Sequence, residues 1–334
     1  MRQLFAALIA IGILAAQDSA TRIDATTANR VALGAIEKLN SAYVFPDVAK
    51  KMESDVRERI ARKEYDQIAT VTQLCDKLTA DLQSVSHDKH IRLAPAGGPP
   101  RAAGMAPSAN RVVEKAEILA GNVGYMDFRQ FAPPSVAGGA VADALNTLGA
   151  TDALIIDLRR NGGGAPAMVA LLASYLMGPT PVQLNSLYTR GAQKPTELWT
   201  LAEVSGKRYG PDKPVFVLTS KRTFSAAEGF TYHLKALRRI TVVGEVSGGG
   251  ANPGGFMPID DRFVVFVPTG HVVNPITKTN WEGVGIRPDI AVDVEKALPA
   301  AHRMALQKLL DKASSATAKT SLQKAIAALD STGQ

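Results

Sequence analysis

From residue 111 onward, the chain alternates short apolar runs with segments of helical periodicity. The runs have the length of strands and are rich in β-branched or aromatic residues. They are VGYMDF (123–128), ALIIDLR (153–159), PVFVLTS (214–220) and ITVVGE (240–245). Helices are predicted between and after them, near 135–149, 165–177 and 225–238. This alternation predicts a layered α/β core over residues 111–295.

A later apolar segment, FVVFVPTGHVV (263–273), is interrupted by Pro268. Because proline cannot donate a ladder hydrogen bond, the segment is predicted to be a hairpin arm or an edge strand. The Asp260-Asp261 pair just before it is typical of a hairpin turn.

The regions that flank the core have a different character. Residues 24–86 repeat apolar residues at three- and four-residue steps, which predicts two or three helices in an N-terminal segment, 21–93. Residues 94–110 are rich in Pro, Gly and Ala, have little to pack, and are predicted to be a flexible linker. Residues 296–334 are predicted to be a basic helical tail.

This tail supplies +4 of the formal net charge of +7. Its basic residues alternate with Leu, Ala and Ile at helical spacing, so a solvated amphipathic face explains them. Basic and aromatic residues are not interleaved, and no nucleic-acid partner is expected.

The N-terminus, MRQLFAALIAIGILAAQDSA, places Arg2 before an apolar run from Leu4 to Ala16 and ends in Ser19 and Ala20. It predicts a signal peptide over residues 1–20, with export to the periplasm or out of the cell. The run is too short for a comfortable membrane span, although an uncleaved N-terminal anchor is the alternative. No stable span is predicted in the mature chain.

Composition excludes several classes. Hydrophobic residues make up 46% and charged residues 21% of the 334, which argues against a disordered or collagen-like chain. Cys75 is the only cysteine, so neither a disulfide nor a thiolate cluster can form within the chain. The zinc-binding pattern HExxH is absent as well, and we predict neither a metal nor a cofactor.

A glycine-rich turn follows one predicted strand. It reads DLRRNGGG, from Asp157 to Gly164, and precedes a predicted helix. Glycines let the backbone bend sharply and present N–H groups at a helix N-terminus, where negative charge is stabilised. The nucleotide patterns GK[ST] and GxGxxG are absent, so the turn is interpreted as an oxyanion hole or as a tight turn without a ligand.

A second motif, TFSAAEG (223–229), follows the strand PVFVLTS and opens a helix. Ser225 at this place can present its hydroxyl to a cleft, or it can be an ordinary helix N-cap. The GxSxG pattern of α/β-hydrolases is absent, which argues against that fold.

Six segments, taken in their order, resemble the serine peptidase family that includes tail-specific (C-terminal-processing) proteases, the tricorn core and interphotoreceptor retinoid-binding protein. They span about residues 85–295 and are DKH (88–90), GNVGYMDF, IIDLRRNGGG, TFSAAE, VVGEVSGGG and WEGVGIRPDI (281–290). The resemblance implies a crotonase-like (ClpP/crotonase-type) layered core and a serine peptidase that acts on polypeptides, which the N-terminal pattern predicts to be exported.

The resemblance also implies roles for individual residues. Ser225 matches the nucleophile, His90 the general base of the tricorn-like branch, and Glu282 the acidic residue of the catalytic hydrogen-bond chain. The oxyanion hole is matched by the N–H groups of Gly162, Gly163 and Ala226. His87, three residues before His90, is the other candidate base, but the register with Asp88 favours His90.

Two departures from the family patterns bear on mechanism. Residues 244–250 contain no lysine, which argues against the Ser-Lys dyad of the branch with a fused PDZ domain, and there is no room for that domain between the predicted linker and the core. Lys89 stands where the tricorn core has a serine. Either another side chain supplies that hydrogen bond or a simpler Ser-His-Glu set operates.

Two other functions compete with a peptidase. One is a non-catalytic binder of apolar ligands such as retinoids or fatty acids, and the other is a crotonase-type enzyme that acts on an acyl thioester. The presence of Ser225, His90 and Glu282 favours a peptidase over the first, and predicted export argues against the second. The physiological substrate and the oligomeric state stay open.

Overall fold

The computed structural model describes residues 22–97 and 112–332, which divide into two compact units. The first unit consists of the described part of Met1–Ala103 with Thr189–Gly191 and Pro253–Gly270. The second consists of the described part of Gly104–Tyr188 with Ala192–Asn252 and His271–Gln334. The predicted signal peptide lies outside the described residues.

The elements in chain order are as follows. The helices are α1 (Ala25–Ala42), α2 (Pro46–Ala61), α3 (Val71–Ser86), α4 (Pro134–Leu148), α5 (Pro166–Leu176), α6 (Ala226–Ala236), α7 (Ala297–Lys312) and α8 (Ala316–Thr332). The strands are β1 (Arg92–Pro95), β2 (Val113–Leu119), β3 (Val123–Phe128), β4 (Ala153–Asp157), β5 (Gln183–Thr189), β6 (Thr196–Trp199), β7 (Val215–Thr219), β8 (Thr241–Gly244), β9 (Gly254–Pro258), β10 (Phe263–Pro268), β11 (Gly270–Val273) and β12 (Ile290–Ala291).

The first unit packs α1, α2 and α3 against one face of an antiparallel sheet in the order β1-β10-β9. Strand residues alternate between the two faces of a sheet, so Phe263, Val265 and Val267 all point to the helices and are buried. Two helix starts are fixed by side chains: Asp24 accepts from the N–H of Thr27 at 2.7 Å, and Thr70 forms a capping box with Gln73.

The predicted boundaries differ from this unit in two respects. The N-terminal segment was predicted to be helical over residues 21–93, whereas its helices share a core with a sheet that includes 254–258 and 263–268. The linker was predicted to begin at residue 94, but Ala94 and Pro95 pair with Val264 and Phe263 in β1 and β10. Pairing over such a distance in sequence overrides the local composition. Residues 98–110 of the predicted linker lie outside the described residues.

For the segment 263–273, one of the two predicted alternatives is confirmed, because β10 forms an antiparallel hairpin with β9. The segment divides at Thr269 into β10 and β11, and β10 is the central strand of its sheet, not an edge strand. Pro268 is tolerated because it is the last residue of β10. The predicted turn is present: Asp260 Oδ1 accepts from the N–H groups of Arg262 and Phe263, both at 2.8 Å.

The second unit is built on a six-stranded sheet in the order β12-β8-β7-β4-β3-β2. Only the β2–β3 pair is antiparallel. Strands β3, β4 and β7 are buried along their whole length because helices cover both faces, with α4, α5 and α6 on one and α7 and α8 on the other. A smaller sheet has the order β11-β5-β6. The predicted α/β core and helical tail are therefore present.

The parallel sheet determines where the loops of the second unit lie. Since β4 and β7 are neighbours and parallel, their carboxyl ends meet at the same edge of the sheet. The glycine turn follows β4 and the Ser225 segment follows β7, so the two motifs emerge side by side. No helix within residues 22–97 and 112–332 has the length and apolar character needed to cross a membrane.

His233 on α6 is a buried part of this core. Its ring nitrogens lie 2.9 Å from the amide nitrogen of Asn185 and 3.1 Å from that of Asn274, and its ring packs edge-on against Trp281. Burial lowers the pKa of His233 to about 3. The ring is therefore neutral in the folded protein at pH 7 and through the mildly acidic range.

We predict that acidification destabilises the second unit through His233. An unfolded histidine titrates near 6.5, so below that pH the unfolded state binds more protons and stability falls, by up to about 1.4 kcal/mol per pH unit. The stability that His233 contributes as a neutral buried ring is complete above pH 6.5 and is lost as the pH falls towards 3. Urea unfolding at pH 7, 6 and 5, followed by tryptophan fluorescence, measures the slope, since both tryptophans, Trp199 and Trp281, lie in the second unit. His233→Gln should flatten it, and identical slopes in the two proteins would contradict the assignment.

Candidate active site

Ser225 has an unusual backbone conformation. It directly precedes α6 with φ 53° and ψ −121°, outside both the right-handed and the left-handed helical regions. Such a conformation costs about 1–3 kcal/mol for a non-glycine residue and persists only where the surroundings enforce it. It turns the half-buried serine sharply between the end of β7 and the start of α6.

Hydrogen bonds on both sides enforce this conformation. The N–H of Ser225 donates to Glu228 Oε2 at 2.8 Å, and its carbonyl accepts from the N–H of Gly229 at 2.9 Å. One residue earlier, the N–H of Phe224 donates to the carbonyl of Asn161 at 3.1 Å, which ties the serine segment to the glycine turn.

The glycine turn approaches Ser225 so closely that no side chain fits there. A Cβ built on Gly163 would lie 2.8 Å from Ser225 Cβ and 2.8 Å from the backbone nitrogen of Ala226, and Gly163 has φ +104°. A Cβ on Gly162 would meet nothing within 4 Å. The spacing explains why glycine is required at position 163 and not at 162.

The three predicted oxyanion donors differ in their present partners. Gly163 N–H donates to Asn161 Oδ1 at 2.9 Å, and the buried Asn161 amide in turn donates to the carbonyl of Phe128 at 2.8 Å. Among the described residues, the N–H groups of Gly162 and Ala226 have no acceptor. Ala226 N–H lies at the first position of α6, where the helix dipole favours an anion.

The two arginines of the glycine turn are paired with carboxylates. Arg159 binds the buried Asp157 at 2.6 Å and donates to the carbonyl of Val294 at 2.6 Å. Burial raises the pKa of Asp157, but the Arg159 guanidinium outweighs it and the net pKa is lowered. Arg160 pairs with Asp127 at 2.6 Å. Both arginines hold the turn in place.

Glu228 connects Ser225 to the loop 247–252 that follows β8. Its carboxylate is fully buried and accepts four hydrogen bonds: from the hydroxyl of Ser247 at 2.5 Å and from the N–H groups of Gly249 at 2.6 Å, Gly250 at 2.9 Å and Ser225 at 2.8 Å. Burial raises the pKa of Glu228, whereas the hydrogen bonds from Ser247 and the backbone oppose the rise.

Glu282 holds the other end of the same loop. Its Oε2 accepts from the N–H groups of Ala251 at 2.5 Å and Asn252 at 2.9 Å, and the neighbouring Trp281 donates to the carbonyl of Gly250 at 2.8 Å. Two glutamates thus bind four successive N–H groups of one loop. Within the second unit, Ser225 and Glu282 are connected through Glu228 and this loop.

His90 belongs to the first unit and is buried. The backbone N–H of His90 donates to Asp88 Oδ1 at 3.0 Å, and Asp88 also accepts from the hydroxyl of Tyr43 at 3.2 Å. The ring of His90 stacks on Phe266 with centroids 5.6 Å apart. Burial, with a contribution from the positive charge of Arg92, lowers the pKa of His90 to about 4.

His87 differs from His90 in both position and exposure. It is exposed and ends α3 in the left-handed conformation, with φ 56°, so its backbone closes the helix. The remaining histidines are packed as structural residues: His302 contacts the carbonyl of Ala120 at 2.8 Å, and His271 stacks on Tyr188.

Glu228 and Asn161 were missed as site residues by the sequence reasoning. The Ser225-x-x-Glu228 spacing fits a capping box, a signal that could have marked the glutamate. Asn161 carries no such signal, since asparagine before glycines is an ordinary turn residue.

The sequence pattern of peptidase family S41 matches residues 122–292, just over half of the chain. The chain belongs to this family. A second pattern, described as the N-terminal domain of peptidase S41 in eukaryotic IRBP, matches residues 18–120. The two matches together take in the helices of the first unit, the glycine turn, Ser225 and Glu282.

One curated relative is also similar in sequence. The chain is 27% identical over 191 residues to a carboxy-terminal-processing protease of Bartonella bacilliformis, a match that covers 55% of this chain and 41% of that protein. The chain therefore spans about two fifths of the length of this curated relative.

Solved structures show the same fold. A candidate peptidase from Parabacteroides merdae superposes with a TM-score of 0.56 at 22% identity, over 78% of this chain and 91% of that one. The photosystem II D1 C-terminal processing protease superposes with a TM-score of 0.50 at 16% identity, over 80% of this chain and 94% of that one.

The close approach at the glycine turn leads to a matched pair of variants. Gly163→Ala should lower the free energy of unfolding by about 1–3 kcal/mol and abolish the reaction of Ser225 with a fluorophosphonate, because the new Cβ collides with Ser225 and Ala226. Gly162→Ala should change stability by less than about 0.5 kcal/mol and keep the reaction. Urea unfolding and intact-mass labelling measure both, and equal behaviour of the two variants would refute the argument.

The four donors around Glu228 lead to a second prediction. Glu228→Gln places an amide NH₂ against N–H and O–H donors, so it should cost about 1–3 kcal/mol of stability and slow the labelling of Ser225. Glu295→Gln changes the same charge on an exposed residue of the second unit and should alter neither. Unaltered labelling and stability in Glu228→Gln would show that this carboxylate does not hold the serine segment.

Proposed function

We propose that this S41 chain is a serine peptidase that hydrolyses peptide bonds through an acyl-enzyme on Ser225. The observation that carries the proposal is the backbone of Ser225, which hydrogen bonds from α6 and from the glycine turn hold in a costly conformation. Strain of this kind at the N-terminus of a helix is typical of an exposed nucleophile. A serine that served only as a helix cap would need no such conformation.

In the proposed first step, the hydroxyl oxygen of Ser225 attacks the carbonyl carbon of the substrate and its proton passes to His90. The developing oxyanion is stabilised by N–H groups drawn from Gly162, Gly163 and Ala226. His90 then gives the proton to the leaving amine as the carbon–nitrogen bond breaks. Water attacks the resulting ester by the same route and releases the acid product.

The environment of His90 sets its protonation state. A pKa of about 4 keeps the imidazole neutral at pH 7, the form that accepts a proton, and also makes it a weaker base than an ordinary histidine. Glu282 contributes as part of the hydrogen-bond chain by holding the loop 247–252, which Glu228 links to Ser225.

The substrate class and the location of the enzyme are part of the proposal. Polypeptides cut near their C-termini are the proposed substrates, as the name of the Bartonella bacilliformis relative suggests. The apolar run between Arg2 and Ala20 supports export to the periplasm or out of the cell.

Labelling with a fluorophosphonate, read by intact mass, tests the nucleophile and the base. The wild-type protein should gain one adduct, Ser225→Ala none, and His90→Ala should react about 100-fold or more slowly, as expected for the loss of a general base. His87→Ala, an exposed histidine three residues away, should react like the wild type. An adduct that persists in Ser225→Ala would place the reactive group elsewhere and refute the proposal.

The pH dependence of the same reaction tests the state of His90. Because its pKa is lowered to about 4, the labelling rate should stay level from pH 8 to about 5 and fall as the pH drops through 4. Far-UV circular dichroism at each pH separates loss of the base from loss of the fold. A midpoint near 6.5, the ordinary value for histidine, would contradict a buried neutral base.

A further inference from the structure

Three side chains form a row across the sheet of the first unit, on the face opposite its core. Arg92 on β1 pairs in register with Phe266 on β10, and Phe266 pairs with Phe256 on β9. The rings of the two phenylalanines meet edge to face, with centroids 5.2 Å apart at 90°. We call Arg92, Phe266 and Phe256 the aromatic row.

Contacts within the row fix its geometry. The guanidinium carbon of Arg92 lies 4.9 Å from the ring centre of Phe256 and 5.1 Å from that of Phe266, both at cation–π distance. His90 stacks on Phe266 with an angle of 25° between the ring planes. The row is thus continuous with the ring of the proposed base.

The core of the first unit does not account for the row. That core is formed by the opposite face of the same strands, through Phe263 and Val265. Phe256 keeps 47% of its surface exposed. A single exposed apolar side chain is ordinary, but an aromatic pair packed edge to face beside a proposed catalytic group has the geometry to contact an apolar ligand.

We infer that the aromatic row is the subsite for the residue directly after the cleaved bond, and that it selects an apolar side chain there, aromatic above all. The inference rests on the proposed function. His90 must come within about 3 Å of the leaving nitrogen to protonate it. The leaving nitrogen belongs to the first residue after the cleaved bond, so the side chain of that residue then lies next to Phe266. The following residue of an extended peptide lies about 3.3 Å further along.

Arg92 adds a second element of selection. Its positive charge beside the two rings repels a lysine or arginine side chain at the residue after the cleaved bond. The substrate class that this subsite fits is therefore a polypeptide with phenylalanine, tyrosine or a bulky aliphatic residue after the cleaved bond, and without a basic one.

Digestion of a proteome-derived peptide library, with the products identified by mass spectrometry, shows which residue follows each cut. We expect aromatic and bulky aliphatic residues to be enriched there and lysine and arginine to be depleted. Two quenched fluorescent peptides that differ only at this position, Phe against Ser, then give kcat/KM. The Phe peptide should be favoured by about 10- to 100-fold in the wild type.

Variants of the row identify its contribution. Phe256→Ala should lower kcat/KM for the Phe peptide by about tenfold and leave the Ser peptide unchanged. Arg92→Met keeps the apolar stem, removes the charge, and should raise the cleavage of peptides with lysine at this position relative to the Ser peptide, a ratio in which the effect of Arg92 on the pKa of His90 cancels. Leu33→Ala, which truncates an exposed apolar residue on α1, is the matched control. It should change neither the preference for the Phe peptide over the Ser peptide nor the discrimination against lysine.

The outcomes separate this inference from the proposed function. If the library is cut in a Ser225-dependent manner but Phe256→Ala slows the Phe and Ser peptides equally, or neither, the inference fails and the peptidase stands. If Ser225 reacts with a fluorophosphonate but no peptide of the library is cut, the proposed function fails and the inference fails with it.

Discussion

The candidate site of the second unit depends on the hydrogen bonds that the buried carboxylate of Glu228 accepts. This carboxylate accepts a hydrogen bond from the backbone of Ser225 and three from the loop 247–250, so one side chain sets both the strained serine and the loop behind it. A buried anion is costly unless donors surround it, and here all four donors come from the segments that it positions. The carboxylate and the two segments therefore depend on one another, and none of them is expected to keep its arrangement if another is lost.

The parallel sheet supplies the second constraint. The adjacent strands β4 and β7 place the glycine turn and the serine segment at the same edge of the sheet. Because Gly163 has no side chain, the backbones of the turn and of the serine segment can pack directly against each other. The ion pair between Asp157 and Arg159 also fixes the turn, because Arg159 links Asp157 at the end of β4 to the carbonyl of Val294. Rigid elements thus carry the candidate nucleophile of this S41 chain, while the loop 247–252 needs two glutamates to hold it.

Much of this arrangement could be predicted from the sequence where the signal is local. The buried strands β3, β4 and β7 are short apolar runs, and the helices between them have clear periodicity, so the layered core and the placement of the two motifs at strand ends followed from pattern alone. Pairings between distant segments could not be predicted. Nothing local shows that Phe263 and Val265 complete the core of the N-terminal helices. Nor does any local pattern show that Glu228 binds one hydroxyl and two backbone N–H groups 19 to 22 residues later in the chain. His90 was identified by resemblance, but its stacking on Phe266 depends on that same distant strand.

The first unit is discontinuous in sequence, and this has a consequence for its biosynthesis. Helices α1, α2 and α3 are complete by residue 86, yet the strands that cover their apolar faces end only at residue 268. At about 5–20 residues per second, the ribosome needs on the order of 10–40 s to make the chain between them. Throughout that interval Ile36, Leu39 and Leu78 lack part of their core, and the nascent helices present apolar surface to whatever binds nascent chains. For the same reason, residues 22–97 excised alone would keep β1 but lack β9 and β10, the other two strands of the sheet that covers the helices. This N-terminal stretch is therefore only part of the folded unit.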